Sequence, residues 1–470
     1  MPPTSVAPPT SQRVFEPETR PLTIGILLGI TLVAFEALAV VTVAPLFAAD
    51  LDGLALYGWV FSGFLLASLL GSVLGGQMAD TGSMARPLLV GLVFFGVGLV
   101  VSGAAVSMTV LLAGRVLQGL GGGVLATVMY AVINRAYPDG VRARIMALTS
   151  SAWIVPALLG PTLAGIIAEA SHWRYVFWSI VPLLVVVGAL TLGAFGKITS
   201  AGTAQAVSGP IGAALLLTLG AGLSLVGIGA ERPWLVAVLA VPGAVLIVLG
   251  LRALMPEGTL RLRRGLPAVV AGRGLLSSAF IGVEAFMALM LTTVHGYSIT
   301  VTGFVIATGA LSWAFGAWLQ ARLDVGRAHQ RPQRMFLGIC LMTIGIALQL
   351  VALFATSVPL VIVVVGWVLA GTGIGASHAT ASVLAFALAP EGEEGRVAAA
   401  VQVSDQLLQA TSTGVGGALL ALATRQGWGA RTGILLALVF VLMLAALAMV
   451  AGWRAQLRAE VPDGSPNLRQ

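Results

Sequence analysis

A single carboxylate stands in the middle of a long apolar run. The stretch Leu22 to Leu46, LTIGILLGITLVAFEALAVVTVAPL, has Glu36 as its only ionisable residue. About 20 apolar residues are enough for a helix to cross a bilayer. A carboxylate at that depth costs roughly 2.5–3.5 kcal/mol on insertion scales. An acid kept at such a cost points to a group that gains and loses a proton while facing a central cavity. The plainer alternative is a carboxyl hydrogen-bonded to a neighbouring helix. A base occurs in a second run, LLAGRVLQGLGGGVLATVMY, where Arg115 and Gln118 lie one turn apart on one helix face. A guanidinium keeps its charge, so Arg115 must face protein or water, or else snorkel to a membrane surface. Gly119 and the run Gly121 to Gly123 remove side-chain bulk beside it and permit close helix contact.

Three further groups are candidates for the same chemistry. Glu284 lies in SSAFIGVEAFMALML, partway along its run as Glu36 is in the first. His378 lies in GTGIGASHATAS and reads first as a packing residue, second as a cavity group. Asp405, in AAAVQVSDQLLQATSTGVGG, fits a solvated or interface position as well as a site. The segment VPALLGPTLAGIIAE carries Pro156 and Pro161, each of which removes a backbone donor and loosens a helix. Its Gly160, Ala164 and Gly165 form a small-residue seam, so it reads as a kinked packing helix or as the seal at one mouth of a cavity. The loop GGQMADTGSMARP, with Gly76, Asp80 and Arg86, could latch one bundle to another, although Asp and Gly are ordinary turn residues.

Composition fixes the solvent. The 470 residues are 58% hydrophobic and 9% charged, more apolar surface than a soluble chain could hide, so the lipid bilayer is a partner. The formal charge of +7 comes almost entirely from arginines in short loops, the pattern of membrane topology and not of nucleic-acid binding. No GxxxxGK[ST] phosphate loop is present, the four histidines and the single Cys340 are scattered, and no Ser/His/Asp set can be assigned. The expectation is therefore no enzyme, no cofactor, no metal and no catalytic residue. Residues 1–21 are rich in Pro, Thr and Ser and carry no short apolar segment with a cleavage site, so they read as a disordered tail and not as a signal peptide.

Apolar runs separated by charged or Pro/Gly breaks predict an all-α polytopic membrane protein with fourteen helices. The predicted spans are 22–46, 56–78, 87–107, 109–133, 146–168, 175–196, 209–229, 234–254, 275–295, 299–321, 335–355, 358–386, 397–423 and 432–453. With the N-terminus inside, only Arg174, Arg232, Arg425 and Arg431 of the 25 basic residues fall in outside loops, and Arg115 falls within a helix. The others, Arg252 to Arg273 among them, sit in inside loops and tails, which predicts both termini cytoplasmic. The chain divides into a tail 1–21, a six-helix bundle 22–197, an inserted pair and linker 198–265, a second six-helix bundle 266–454 and a tail 455–470. Repeated bundles around a midplane site are a frequent plan for transporters.

Taken together, these residues resemble the major facilitator superfamily and, within it, the fourteen-helix drug/proton antiporters. Arg115, Gln118, Gly119 and Gly121 to Gly123 match the RxxQGxGxG motif. Gly160, Pro161 and Gly165 match GPxxGG, with Ala164 replacing one glycine. The loop keeps Gly76 and Asp80 of GxxxDRxGRR but has Thr81 where an Arg is expected and one late Arg86. Glu36 and Pro45 resemble the acidic position and end of LDxTIVNVALP, with Val41–Thr42 replacing Val-Asn, and His172-Trp173-Arg174 with Phe177 resembles WRWIF. The resemblance implies two bundles that alternate access to one central site in the bacterial plasma membrane. A proton taken from outside by Glu36 or Glu284 would compete with an amphipathic or cationic small molecule, and the protein would work as a monomer. Two other readings remain open on the same scaffold: export of an endogenous lipid or metabolite, and a membrane sensor that does not transport.

Overall fold

The computed structural model describes residues 14–15, 19–80, 82–198, 209–230, 232–354 and 360–456. The predicted tails 1–21 and 455–470 and the junction 199–208 fall largely outside these residues, as does Thr81. Among the described residues there is no strand. The long helices are α1 (Arg20–Asp50), α2 (Tyr57–Asp80), α3 (Ala85–Gly103) and α4 (Met108–Ala136). They are followed by α5 (Asp139–Ser151), α6 (Ile154–Ala170), α7 (Arg174–Gly196) and α8 (Gly209–Ile228). A short α9 (Pro233–Leu235) continues through a π turn, Val236–Ala240, into α10 (Val241–Leu254). Next come α11 (Leu266–Leu289), α12 (Ile299–Asp324) and α13 (Arg331–Phe354), then α14 (Leu360–Ala387), α15 (Glu394–Arg425) and α16 (Gly429–Gln456). Thirteen described helices are long and apolar enough to cross a membrane, and the 17-residue α6 is a shorter apolar one. This is a multi-pass membrane protein.

Two of the predicted spans differ from the structure. The run at 146–168 is divided at 152–153 into α5 and α6. Pro156 cannot donate to the carbonyl four residues back, so the chain restarts its helix just before it, where the missing donor falls in the first turn. The ninth run begins at Leu266, not 275. Gly265 turns the chain at φ +86 and Pro267 sits at the start of the helix, where proline is favoured. Arg273 therefore belongs to a membrane helix and not to an inside loop.

The helices form two sets of six. In the first, α4 packs between α2 and α3, and α1 packs against α6 and α7. The glycines of α4 make this possible: a Cβ at Gly119 would collide with the Phe64 carbonyl, and one at Gly123 with that of Ser68, both on α2. In the second set α11 is almost wholly buried, against α14, α15 and α16. The sets meet where α6 packs on α12 and α2 on α15. There the backbones of Gly58 and Gly417 touch, Gly303 faces the Pro161 carbonyl, and Gly165 faces Thr300. These contacts sit toward one end of the molecule, the end where α1 finishes and α2 begins.

The inserted pair lies over this seam. Its helices pack on each other, and α8 reaches both α2 and α15. The Thr218 hydroxyl donates to the Leu66 carbonyl at 3.4 Å, Leu225 fills the notch left by Gly414, and Arg425 donates to the Gly229 carbonyl at 2.8 Å. The far face of α10 turns outward with Val241, Val245 and Leu249 exposed, as a lipid-facing helix requires.

Candidate functional site

The central acid and base of the sequence meet. Glu36 lies near the midpoint of the 31-residue α1 and is fully buried. Arg115 of α4 reaches it across the first bundle and forms a buried ion pair through Nη1 and Oε1. The same Nη1 donates to Gln118 Oε1 at 2.7 Å, Nε donates to the Val60 carbonyl of α2 at 3.2 Å, and the guanidinium lies 4.4 Å from the centroid of the Phe64 ring. Three helices thus hold one cation. Two buried polar atoms of the cluster have no partner, Glu36 Oε2 and Gln118 Nε2, one an acceptor and one a donor. Buried polar atoms are nearly always paired, and these two are exceptions within the cluster. Protonating Glu36 would remove one half of the ion pair and leave the guanidinium to its other partners.

Glu284 differs from Glu36. It is only 6% exposed, yet among the described residues it makes no hydrogen bond and no ion pair. The next residue's carbonyl, Ala285, accepts from the Tyr57 hydroxyl of α2 at 3.0 Å, and the Tyr57 and Phe286 rings lie 5.8 Å apart, so the bundles are in contact at this level. Arg273, Ser277 and Glu284 recur at helical spacing on one stripe of α11, which also carries the partly exposed Ile281. Of these only Arg273 and Ile281 are partly exposed, while Ser277 and Glu284 are buried.

Asp405 and His378 come together at the lower part of that stripe. Asp405 accepts from Arg273 Nη2 at 3.0 Å and Nε at 3.1 Å and from the Ser277 hydroxyl at 3.2 Å, with His378 Nε2 at 3.5 Å. Arg273 also donates to Ser382 Oγ at 2.6 Å, and the Trp313 and His378 rings meet in an edge-type contact with centroids 5.4 Å apart. This network joins α11, α14 and α15. The charge pattern of the sequence places Arg273 in a loop; the signal that finds it is its position on the Ser277–Glu284 stripe.

The motif residues are distributed as follows. Gly160 faces Phe35, next to Glu36, while Pro161 and Gly165 face α12, so α6 lies between the first acid and the second bundle. At its end, the Glu169 carboxylate accepts from the Thr300 amide at 3.1 Å and the Thr300 hydroxyl at 2.7 Å, a cross-bundle contact that the sequence did not indicate. Asp80 pairs with Arg135 of α4 at 3.0 Å, inside the first bundle and not across to the second, while Arg86 is exposed. Gly76 approaches Thr127 of α4. The Trp173–Arg174 segment binds Asp50 at the end of α1, at 3.0 and 2.9 Å, and fixes the start of α7. Among the described residues no group of His, Cys, Asp and Glu could hold a metal ion.

Two six-helix sets around a buried charged midline, with a helix pair laid over their seam, define the class: a polytopic two-bundle membrane protein. The sequence matches the family model of the Major Facilitator Superfamily over residues 26–413, and the chain belongs to that superfamily. It is 28% identical over 451 residues to a probable multidrug-efflux transporter of Mycobacterium tuberculosis (strain H37Rv), covering 92% of this chain and 93% of that one. Multidrug resistance protein 3 of Bacillus subtilis is 31% identical over 174 residues, 37% of this chain and 33% of that one. The crystal structure of a D-xylose–proton symporter superposes with a TM-score of 0.66 at 16% identity, covering 92% of this chain and 97% of that one. That of a peptide transporter in complex with sulfate gives 0.67 at 15%, covering 92% and 95%. These solved structures speak to the fold alone.

Proposed function

We propose that this protein exports amphipathic or cationic small molecules across the bacterial plasma membrane in exchange for protons, by alternating access. The observation that carries the reading is the pair of buried acids on opposite bundles: Glu36 held by Arg115, and Glu284 with no counter-charge. The Mycobacterium tuberculosis relative named as a probable multidrug-efflux transporter supports the direction of transport. The loop arginines support cytoplasmic termini. On that orientation the glycine seam between α2 and α15 and between α6 and α12 lies at the outer mouth, where it would act as the seal.

The cycle follows from the charges. With the outer mouth open, a proton reaches Glu36 and dissolves its ion pair with Arg115. Reorientation delivers the protonated carboxyl to the cytoplasmic side, where the proton leaves and a substrate cation is drawn to the acidic midline. Proton and substrate thus exclude each other, and that exclusion is the coupling. One charge moving through 100 mV is worth about 2.3 kcal/mol, enough to drive uphill export. A monomer contains every group the cycle uses. In proteoliposomes, an imposed pH gradient should drive accumulation of a fluorescent lipophilic cation, and collapsing the gradient with an ionophore should stop it. Accumulation that persists without any proton gradient would remove the exchange from this reading.

A further inference from the structure

The linker between α10 and α11 forms a second polar site that the transport cycle does not use. Two adjoining cavities of about 440 Å³ and 300 Å³ share Arg261 and Arg263 as wall residues. Arg252 completes the first, Arg264 and Arg454 the second, and Glu257 is the only acid lining either. Among the described residues Arg252, Arg261, Arg263 and Arg264 make no ion pair, and all four are exposed. Four guanidinium groups are thus gathered with their forks unoccupied, the arrangement that suits a phosphate.

The site is built and not a loose tail. The chain turns at Gly258 (φ +88) and Leu262 (φ +48) around a single helical turn, Thr259–Arg261. The Thr259 hydroxyl ties it back to the Pro256 carbonyl at 2.6 Å. Arg454, from the end of α16, donates to the carbonyls of Arg261 at 2.8 Å and Leu262 at 3.2 Å. A Cβ at Gly258 would strike the stem of Arg263, so the glycine lets that arginine lie along the turn.

What surrounds the arginines selects the ligand. Leu260 is 60% exposed and Trp453 51%, at the rim of the cavities. Below them the outward faces of α10 and α16 present Leu249, Leu447 and Val450. A basic hollow with apolar walls beneath it and a tryptophan at its lip is suited to a headgroup whose acyl chains run down the helices. We propose that this linker binds the phosphate of an anionic phospholipid and so anchors the start of α11, the helix that carries Arg273 and Glu284, to the membrane surface.

Two measurements test the assignment. In the first, the full-length protein is reconstituted in vesicles of phosphatidylcholine mixed with phosphatidylglycerol, extracted, and its retained lipid weighed by native mass spectrometry. The unaltered chain should retain phosphatidylglycerol preferentially, and R261Q/R263Q should lose about tenfold of that retention. R144Q/R396Q removes the same charge from exposed arginines of α5 and α15, away from both cavities, and should retain lipid as the unaltered chain does. Equal retention by R261Q/R263Q, or equal loss by R144Q/R396Q, would overturn the proposal. So would displacement of the lipid by millimolar inorganic phosphate, which would make a soluble anion the occupant. The second measurement needs no variant. A photoactivatable phosphatidylglycerol should label peptides spanning 252–264 and 453–454, and labelling confined to other segments would overturn the site.

Discussion

At the scale of residues, the buried ion pair is the most exposed part of the proposal. Removing one partner of a buried pair leaves an uncompensated charge, which costs about 3–5 kcal/mol. Arg115→Ala should therefore lower the thermal midpoint of the purified protein sharply, and adding Glu36→Gln should recover much of the loss. Equal destabilisation by the single and double variants would mean that the two groups do not act as a pair. Glu284 has no such partner, so Glu284→Gln should be well tolerated in stability. If Glu284 receives the charge of a cationic substrate, the change should weaken transport of monocations about tenfold while leaving a neutral substrate of similar size nearly unchanged; matched losses for both substrates would refute that role. The sequence shows both acids plainly, because a bilayer makes any ionisable residue conspicuous. It does not show that Arg115 belongs to Glu36, since the contact joins residues 79 positions apart and no periodicity reports it. Arg273 escaped because basic residues near a helix end look like topology signals until the helix start is known.

At the scale of elements, the seam between bundles rests on missing side chains. Gly303 of α12 faces the Pro161 carbonyl of α6, and Gly58 of α2 faces Gly417 of α15. Gly303→Val should keep these surfaces apart and favour the state in which this mouth is open. A cysteine placed at Glu169, in a chain whose native Cys340 is replaced by serine, should then react several-fold faster with a membrane-impermeant maleimide. An unchanged rate would show that the α6–α12 contact does not gate access. The proline- and glycine-rich character of α6 was legible in the sequence, as was the small-residue seam. The turn at 152–153 was not, because Pro156 is compatible both with a kink inside one helix and with the first turn of a new one. The cross-bundle acceptor Glu169 was equally invisible, since its partner Thr300 is an ordinary residue at the start of a distant helix.

At the scale of the molecule, composition alone defined a membrane-spanning bundle, and motif spacing pointed to the superfamily that the chain belongs to. What the sequence left undetermined is which helices touch across the two sets. The inserted pair illustrates this: its apolar runs predict two crossings, but nothing in them predicts that α8 would bridge α2 and α15 over the seam. In the proposed cycle those two helices separate and close once per turnover, so a pair lying on both must slide or flex with them. All of this presupposes that Glu36 exchanges its proton during the cycle. The most direct test is Glu36→Gln in proteoliposomes, with transport measured in two modes. Substrate exchange down its own gradient should continue, because the bundles still reorient, while accumulation driven by a pH gradient should vanish. Undiminished pH-driven accumulation by that variant would contradict the proposed coupling outright.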